Sequence, residues 1–168
     1  MSIRPIALAL GLLAAASCGA AAAPEDFAKK AEAGSPLSSG ELYQIYNNRS
    51  WLWDQGGGFF SVKERRFTAW AGSGADASYG IGLWFITEPG KLCFRAKWHA
   101  REGAAPAVTC FSHRKNDDVI YQRREPDGDW YVFRDVPAKR SNEYAKLRKG
   151  DHVSARLKRI EARMSSDR

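Results

Sequence analysis

From Ser50 to about residue 134, apolar and polar residues alternate with a period of two, which is the pattern of half-buried strands. Trp51 and Trp53 fall on one side of the first predicted strand. Further alternating segments recur at intervals of roughly ten residues, at 67–71, 79–86, 92–98, 108–113, 119–123 and 130–134. The pattern predicts a mainly β protein, an antiparallel meander that closes into a small, lipocalin-like barrel.

Two segments interrupt this strand pattern. Gly56–Gly58 is a run of glycines that predicts a turn. Residues 37–48 place Leu42 and Ile45 at helical spacing behind a serine that can cap a helix, so this segment predicts a short N-terminal helix.

The segments at the two ends of the predicted fold are harder to interpret. Residues 23–36 are rich in Ala, Lys and Glu without a wide apolar face, which predicts a flexible tether or a frayed helix. Residues 151–164 fit a strand by alternation and equally fit a helix capped by Asp151, so both interpretations stay open. The chain thus divides into a single β-rich domain at 37–160 and a basic C-terminal tail at 161–168.

The N-terminus has the features of an export signal. Arg4 precedes an uncharged apolar run, Ile6–Ala16, and small residues follow it. Because this run is too short to span a membrane, we predict a signal peptide at 1–22 and a periplasmic or secreted protein without a transmembrane segment after processing. A retained anchor helix and a lipoprotein acylated at Cys18 are the alternatives.

Cleavage of that signal leaves two cysteines, Cys93 and Cys110. An even pair in an oxidising compartment predicts one disulfide, which contributes about 3 kcal/mol in the chain-entropy model. Two buried free thiols are the alternative. The chain has no Cys-x-x-Cys motif, so a redox-active pair is not expected.

The charge of the chain is concentrated at its C-terminal end. The formal net charge is +7, and residues 139–168, with ten basic and four acidic side chains, account for +6 of it. A basic segment of this kind binds anionic polymers or phospholipid, or is simply a solvated terminus. Export argues against nucleic acid as a partner and in favour of an anionic envelope glycan or a protein.

Aromatic and glycine-rich motifs are spread over the segment 37–134. They are Glu41-Leu42-Tyr43, Trp51-Leu52-Trp53, Gly56-Gly57-Gly58-Phe59-Phe60, Arg66-Phe67-Thr68-Ala69-Trp70, Gly82-Leu83-Trp84, Leu92-Cys93-Phe94, Trp98, Thr109-Cys110-Phe111, Tyr121-Gln122-Arg123-Arg124 and Trp130-Tyr131-Val132-Phe133. Together they resemble a family of small exported proteins of Gram-negative bacteria, the domain of unknown function 995. The resemblance implies no activity and no catalytic residue, and it supports the pairing of Cys93 with Cys110.

An aromatic platform is the most suggestive candidate binding site. Gly80 and Gly82 share a predicted strand face with Trp84, and such small residues leave room above a sheet. Trp70 or Trp98 from a neighbouring strand would lie across that room and form a shallow platform for a sugar ring or an apolar ligand. The alternative is a tryptophan that packs over glycines inside the fold.

Two basic residues extend this candidate site. Arg95 and Lys97 alternate with Phe94 and Ala96, so they face the opposite side of their strand, together with Cys93. A basic outer face would bind an anionic glycan, or it is ordinary solvated surface.

The sequence shows no recognised pattern for catalysis or metal binding. His99, His113 and His152 are dispersed and lack the spacing of a zinc site. We therefore expect no metal, no cofactor and no catalytic residue, and we interpret the chain as an exported binding or interaction protein of the cell envelope. A secreted inhibitor of a hydrolase and an enzyme on a β-barrel scaffold without a known motif are the alternatives.

Overall fold

The computed structural model describes residues 24–166. The predicted signal peptide at 1–22, which includes Cys18, lies outside the described residues. The strands are β1 (Ser35–Pro36), β2 (Arg49–Trp53), β3 (Gly56–Phe60), β4 (Arg66–Ala71), β5 (Ser78–Thr87), β6 (Lys91–Ala100), β7 (Gly103–Asn116), β8 (Val119–Arg124), β9 (Tyr131–Arg134) and β10 (Leu147–Lys149). The helices are α1 (Pro24–Ala33), α2 (Ser39–Tyr46) and α3 (Ser154–Ser166).

The strands form one antiparallel sheet. From β2 to β9 neighbours in the sheet are neighbours in the chain, β10 returns to pair with β2, and β1 pairs with β7 beside this path. The sheet curls into a half-barrel. We call its inner side the concave face and its outer side the convex face. The prediction of a mainly β fold built as an antiparallel meander is therefore confirmed.

The main hydrophobic core lies on the concave face, because alternate residues of each strand point there. Its buried strand residues include Phe60, Phe67, Ala69, Trp84, Leu92 and Ala96. Helix α2 packs against this core through Leu42, Ile45 and Tyr46. Ser38 caps the helix: its hydroxyl accepts from the Glu41 amide, and its own amide donates to the Glu41 carboxylate at 2.9 Å. The predicted N-terminal helix is thus present.

The structure forms an ordered helix in the segment for which the composition predicted a flexible tether or a frayed helix. Phe27 and Ala31 lie four residues apart on α1 and pack against Tyr121 and Trp130 on the convex face. The Arg114 guanidinium holds the end of this helix by donating to the Gly34 carbonyl at 2.7 and 3.1 Å. A narrow apolar stripe is enough to order the segment once a complementary surface is available.

The C-terminal segment is a helix, which decides between the two interpretations left open above. The Asp151 carboxylate caps it by accepting from the Val153 and Ser154 amides, each at 2.9 Å. Its apolar side packs on the convex face, where Leu157 and Ile160 form a second core with residues of β4 and β5. The helix runs to Ser166, so the segment predicted as a tail from 161 continues this element.

Cys93 on β6 and Cys110 on β7 are cross-strand partners and form the predicted disulfide. Both residues point to the convex face, as the alternation of β6 predicted. Among residues 24–166, no helix combines the length and apolar character needed to cross a membrane.

Candidate ligand-binding cavity

The concave face encloses an aromatic cavity of about 540 Å³. This volume lies in the range of small-molecule binding sites. The cavity is lined by Trp51, Trp53, Gly58, Phe60, Phe67, Ala71, Phe94, Trp98, Thr109, Phe111, Arg124, Tyr131 and Glu143. Most of this lining is apolar, and three of its members have titratable side chains: Arg124, Tyr131 and Glu143.

The glycine run that predicted a turn instead forms strand β3, and the turn lies just before it at 54–55. The two outer glycines leave room for rings on the concave face. A Cβ at Gly56 would lie 2.1 Å from the indole nitrogen of Trp53, and one at Gly58 would lie 2.8 Å from the Phe67 ring. Both rings therefore lie directly over the backbone of β3 and form part of the cavity wall.

Stacked and edge-on rings make this wall rigid. Phe67 and Phe94 stack with centroids 4.2 Å apart, and Trp51 meets Phe111 edge-on at 5.0 Å. At one end of the cavity the ring of Tyr46 of α2 packs against Trp51 and Phe60, with ring centroids 6.1 and 5.2 Å apart. Aromatic pairs in these geometries favour fixed ring positions, so the cavity is preformed.

Glu143 brings a carboxylate to the wall from a short helical turn between β9 and β10, at Glu143–Lys146. One carboxylate oxygen accepts from the Trp51 indole N–H at 2.8 Å, and the other pairs with the Lys146 ammonium at 2.9 Å. Both oxygens are therefore engaged, and the charge of Glu143 is compensated by Lys146.

Behind the wall, a chain of buried hydrogen bonds starts at Tyr131. The Tyr131 hydroxyl donates to the side-chain oxygen Oε1 of Gln122. The side-chain amide nitrogen Nε2 of Gln122 donates to the Tyr46 hydroxyl at 2.9 Å. Tyr46 in turn bonds to Nε2 of His113 at 2.8 Å, and Nδ1 of His113 lies 3.1 Å from the Phe111 carbonyl. Because that carbonyl can only accept, Nδ1 carries the proton and Nε2 accepts from Tyr46.

Every titratable member of this chain is held in its uncharged form. Burial lowers the pKa of His113 to about 3. Burial likewise raises the pKa of Tyr46 well above its ordinary value, and it raises the pKa of Tyr131. The network is thus a neutral support that positions Tyr131 in the cavity wall.

Of the five side chains predicted as a binding site, Trp98 lines the cavity. Its indole lies across Gly80, where a Cβ would come within 3.0 Å of the ring. Trp84 shares the concave face but is 1% exposed, and its indole N–H donates to the Ser61 carbonyl at 2.7 Å. Tyr43 and the Arg65 guanidinium cover Trp84, so its ring belongs to the core and is closed to a ligand.

The other three predicted residues point to the convex face. Trp70 lies beneath α3, with the Arg156 guanidinium 5.0 Å from its ring centroid. Arg95 and Lys97 are exposed on β6, on the side predicted from its alternation. The five residues therefore do not form one site, because the sheet separates Trp84 and Trp98 from Trp70, Arg95 and Lys97.

Several cavity residues were missed by sequence reasoning. Trp51 and Trp53 carried a usable signal, since they share one side of a short strand, and so did the apolar face of β6 that includes Phe94 and Trp98. Glu143 gave no signal because it follows an irregular segment and reaches the wall only through the fold.

The histidines take separate positions in the fold. His113 is buried, and His99 stacks on Tyr79 with centroids 4.7 Å apart. Within residues 24–166, no group of three His, Cys, Asp or Glu side chains is placed to hold a metal ion.

The family model for a protein of unknown function, DUF995, matches residues 9–153, which is most of the chain. No curated protein and no solved structure matches the chain.

Proposed function

Because the chain belongs to DUF995, a family of proteins of unknown function, we propose its role from the geometry: it is an exported binding protein of the cell envelope that holds a small apolar ligand in the aromatic cavity. The observation that carries this proposal is the preformed cavity of about 540 Å³ on the concave face. Concave, largely apolar sites with a few polar groups are the general form of small-molecule sites.

The polar groups of the wall support binding rather than catalysis. Both oxygens of the Glu143 carboxylate are engaged by Trp51 and Lys146, and the Tyr131 hydroxyl is committed to Gln122. The raised pKa of Tyr131 also makes its hydroxyl a poor proton donor and leaves almost no phenolate to act as a base. An ion-paired carboxylate and a hydrogen-bonded, uncharged hydroxyl shape a site without exchanging protons with a substrate.

Export and residence in the envelope are supported by the N-terminal sequence and by the disulfide. The segment 1–22 has the charge and apolar run of a signal peptide. The Cys93–Cys110 bond is compatible with an oxidising compartment outside the cytoplasm.

Filling the cavity tests its role in binding. Thr109 lines the cavity, whereas its neighbour Val108 points to the convex face and is 60% exposed. We expect Thr109→Trp to weaken binding of an uncharged phenylnaphthylamine dye about tenfold or more, since losing about 1.4 kcal/mol of apolar contact is tenfold in Kd. The measurement is the increase in dye fluorescence on titration with the oxidised mature protein.

Val108→Trp is the matched control, because it adds the same side chain to the opposite face of the same strand. We expect it to leave dye affinity unchanged. Equal affinities for the wild type and both variants, or no dye binding at all, would refute the cavity as a binding site. A thermal melt of each variant verifies that the fold is intact.

A second candidate function is attachment to an anionic envelope glycan through the convex face. The convex strip, as we call it, consists of exposed apolar and basic side chains: Arg66, Leu83, Phe85, Arg95, Lys97 and Val108. Leu83, Arg95 and Val108 lie side by side across β5, β6 and β7. Within residues 24–166, the three cations form no ion pair with a carboxylate, so they are available to an anionic polymer.

Removing two of these cations tests the second function. We expect Arg95→Gln combined with Lys97→Gln to weaken binding to an immobilised anionic polysaccharide several-fold at low salt, with the difference fading at high salt. The control is Lys158→Gln combined with Arg159→Gln, which removes the same charge from the exposed side of α3. An equal loss in both double variants would mean that net charge, and not the convex strip, determines binding.

A further inference from the structure

The aromatic cavity has a buried end and an open end. Trp51, Phe60 and Phe67 are almost fully buried, whereas Trp98 and Thr109 are half-buried. A ligand that enters the cavity therefore places its most apolar part against the buried rings and leaves its other end near the more exposed residues of the lining. Such a site suits a molecule with two chemically different ends.

Arg124 is the exposed charged residue of this lining. It is the last residue of β8, it pairs with Phe111 of β7, and it shares the concave face with Gln122 two residues earlier. Its side chain is exposed, so the guanidinium remains hydrated while it contributes to the cavity lining. Arginine commonly packs its stem along apolar surface in this way and keeps its charge in water.

The guanidinium of Arg124 has no partner among residues 24–166. The other charged group of the lining, Glu143, is already paired with Lys146. The neighbouring Arg123 differs as well, because it pairs with Glu125 at 3.3 Å and lies over the Trp130 ring. Arg124 is thus the charged group of the lining whose hydrogen-bond donors are all free for a ligand.

The geometry points to the chemical class of the ligand, which is an amphipathic carboxylate. This inference rests on the proposed function. The ligand's apolar body occupies the aromatic cavity, and its carboxylate accepts from the exposed guanidinium of Arg124. The planar guanidinium matches a carboxylate with two parallel hydrogen bonds, which a neutral hydroxyl head group cannot form. Arg124 is accordingly the residue that selects the head group.

A matched pair of ligands tests this inference. Dodecanoate and dodecanol share their apolar body and differ in head group, and each would be used below its aggregation threshold to displace the phenylnaphthylamine dye from the oxidised mature protein. We expect dodecanoate to bind about tenfold more tightly, since a hydrogen bond to a charged group contributes more than a neutral one. We expect Arg124→Gln to remove this preference by weakening dodecanoate binding much more than dodecanol binding.

Arg95→Gln is the control, because Arg95 is exposed on the convex face and equally lacks a partner in the described part of the chain. It should keep the full preference for the carboxylate. Equal affinities for the two ligands in the wild type, or a carboxylate preference that persists in Arg124→Gln, would overturn the inference. Displacement of the dye would in either case still support the cavity as a binding site. Failure of both ligands and of the dye itself to bind would overturn the proposed function as well.

Discussion

Replacing Gly82 with alanine is expected to destabilise the protein by about 3 kcal/mol or more, at the upper end of what overpacking a well-filled site costs. A Cβ at Gly82 would lie 1.9 Å from the Arg95 carbonyl oxygen and 2.6 Å from the Ala96 Cα. Both atoms belong to the backbone of the neighbouring strand β6, so no side-chain rotation can relieve the clash. The central pair of strands would have to separate, and the curl of the sheet would change with them.

Gly40→Ala provides the contrasting control. No atom lies within 4 Å of the position of a Cβ at Gly40, and this residue is helical within α2. We expect a stabilisation of roughly 0.5 to 1 kcal/mol there, because alanine loses less backbone entropy than glycine in a helix. Urea unfolding of the oxidised protein measures both effects, and a Gly82→Ala variant as stable as the wild type would refute the close approach of β5 and β6.

The second large effect is a loss of stability in mild acid that depends on His113. Burial lowers the pKa of His113 from 6.5 to about 3, so below pH 6.5 the unfolded chain binds a proton that the native state excludes. Stability is therefore complete above pH 6.5 and falls as the pH drops towards 3. At about 1.4 kcal/mol per pH unit, the expected loss is roughly 2 kcal/mol at pH 5.

The pH window separates this effect from that of the most strongly shifted carboxyl group. A hydrogen bond from Lys115, with further bonds from Ser38, lowers the pKa of Glu41 from 4.5 to about 2, so its contribution is lost only below pH 4.5. Urea unfolding between pH 7 and pH 5 should therefore show mainly the slope that His113 produces. The native state excludes the proton because it would sit on Nε2 of His113. There it would face the Tyr46 hydroxyl and the side-chain amide of Gln122, which both use Nε2 as an acceptor.

His113→Gln is expected to be less stable at pH 7 but to lose most of this slope between pH 7 and pH 5. His152→Gln removes an exposed histidine and should keep the slope of the wild type. An unchanged slope in His113→Gln would show that another group is responsible. If that variant does not fold, NMR titration of the His113 ring in the native protein decides the matter, since a ring that protonates near pH 6 contradicts its burial.

The strand pattern was predictable because alternation is a local property of the sequence. Arg95 and Lys97 lie on the convex face, and Phe94 and Trp98 on the concave face, as the alternation of β6 requires. Gly56–Gly58 shows the limit of local reasoning, since a run of glycines is typical of a turn and becomes a strand only when Trp53 and Phe67 fill the space above it.

The helices at the two ends show a related limit. The segment 24–33 has too narrow an apolar face to predict a stable helix alone, and it is ordered by contacts with Tyr121 and Trp130. The segment 154–166 fits two periods equally well, and packing against β4 and β5 selects the helical one. In both cases the deciding energy comes from surfaces distant in sequence.

By itself, the sequence determined that the protein is a β meander and which residues of each strand share a face, and it predicted the pairing of Cys93 with Cys110. Only the tertiary structure decided which face is concave and which side chains meet there. Trp51 and Glu143 are 92 positions apart in the chain, and their hydrogen bond forms because β10 returns to pair with β2. Periodicity reports the side to which a residue points, whereas a cavity depends on how far the whole sheet curls, and that curl is a property of all the strands together.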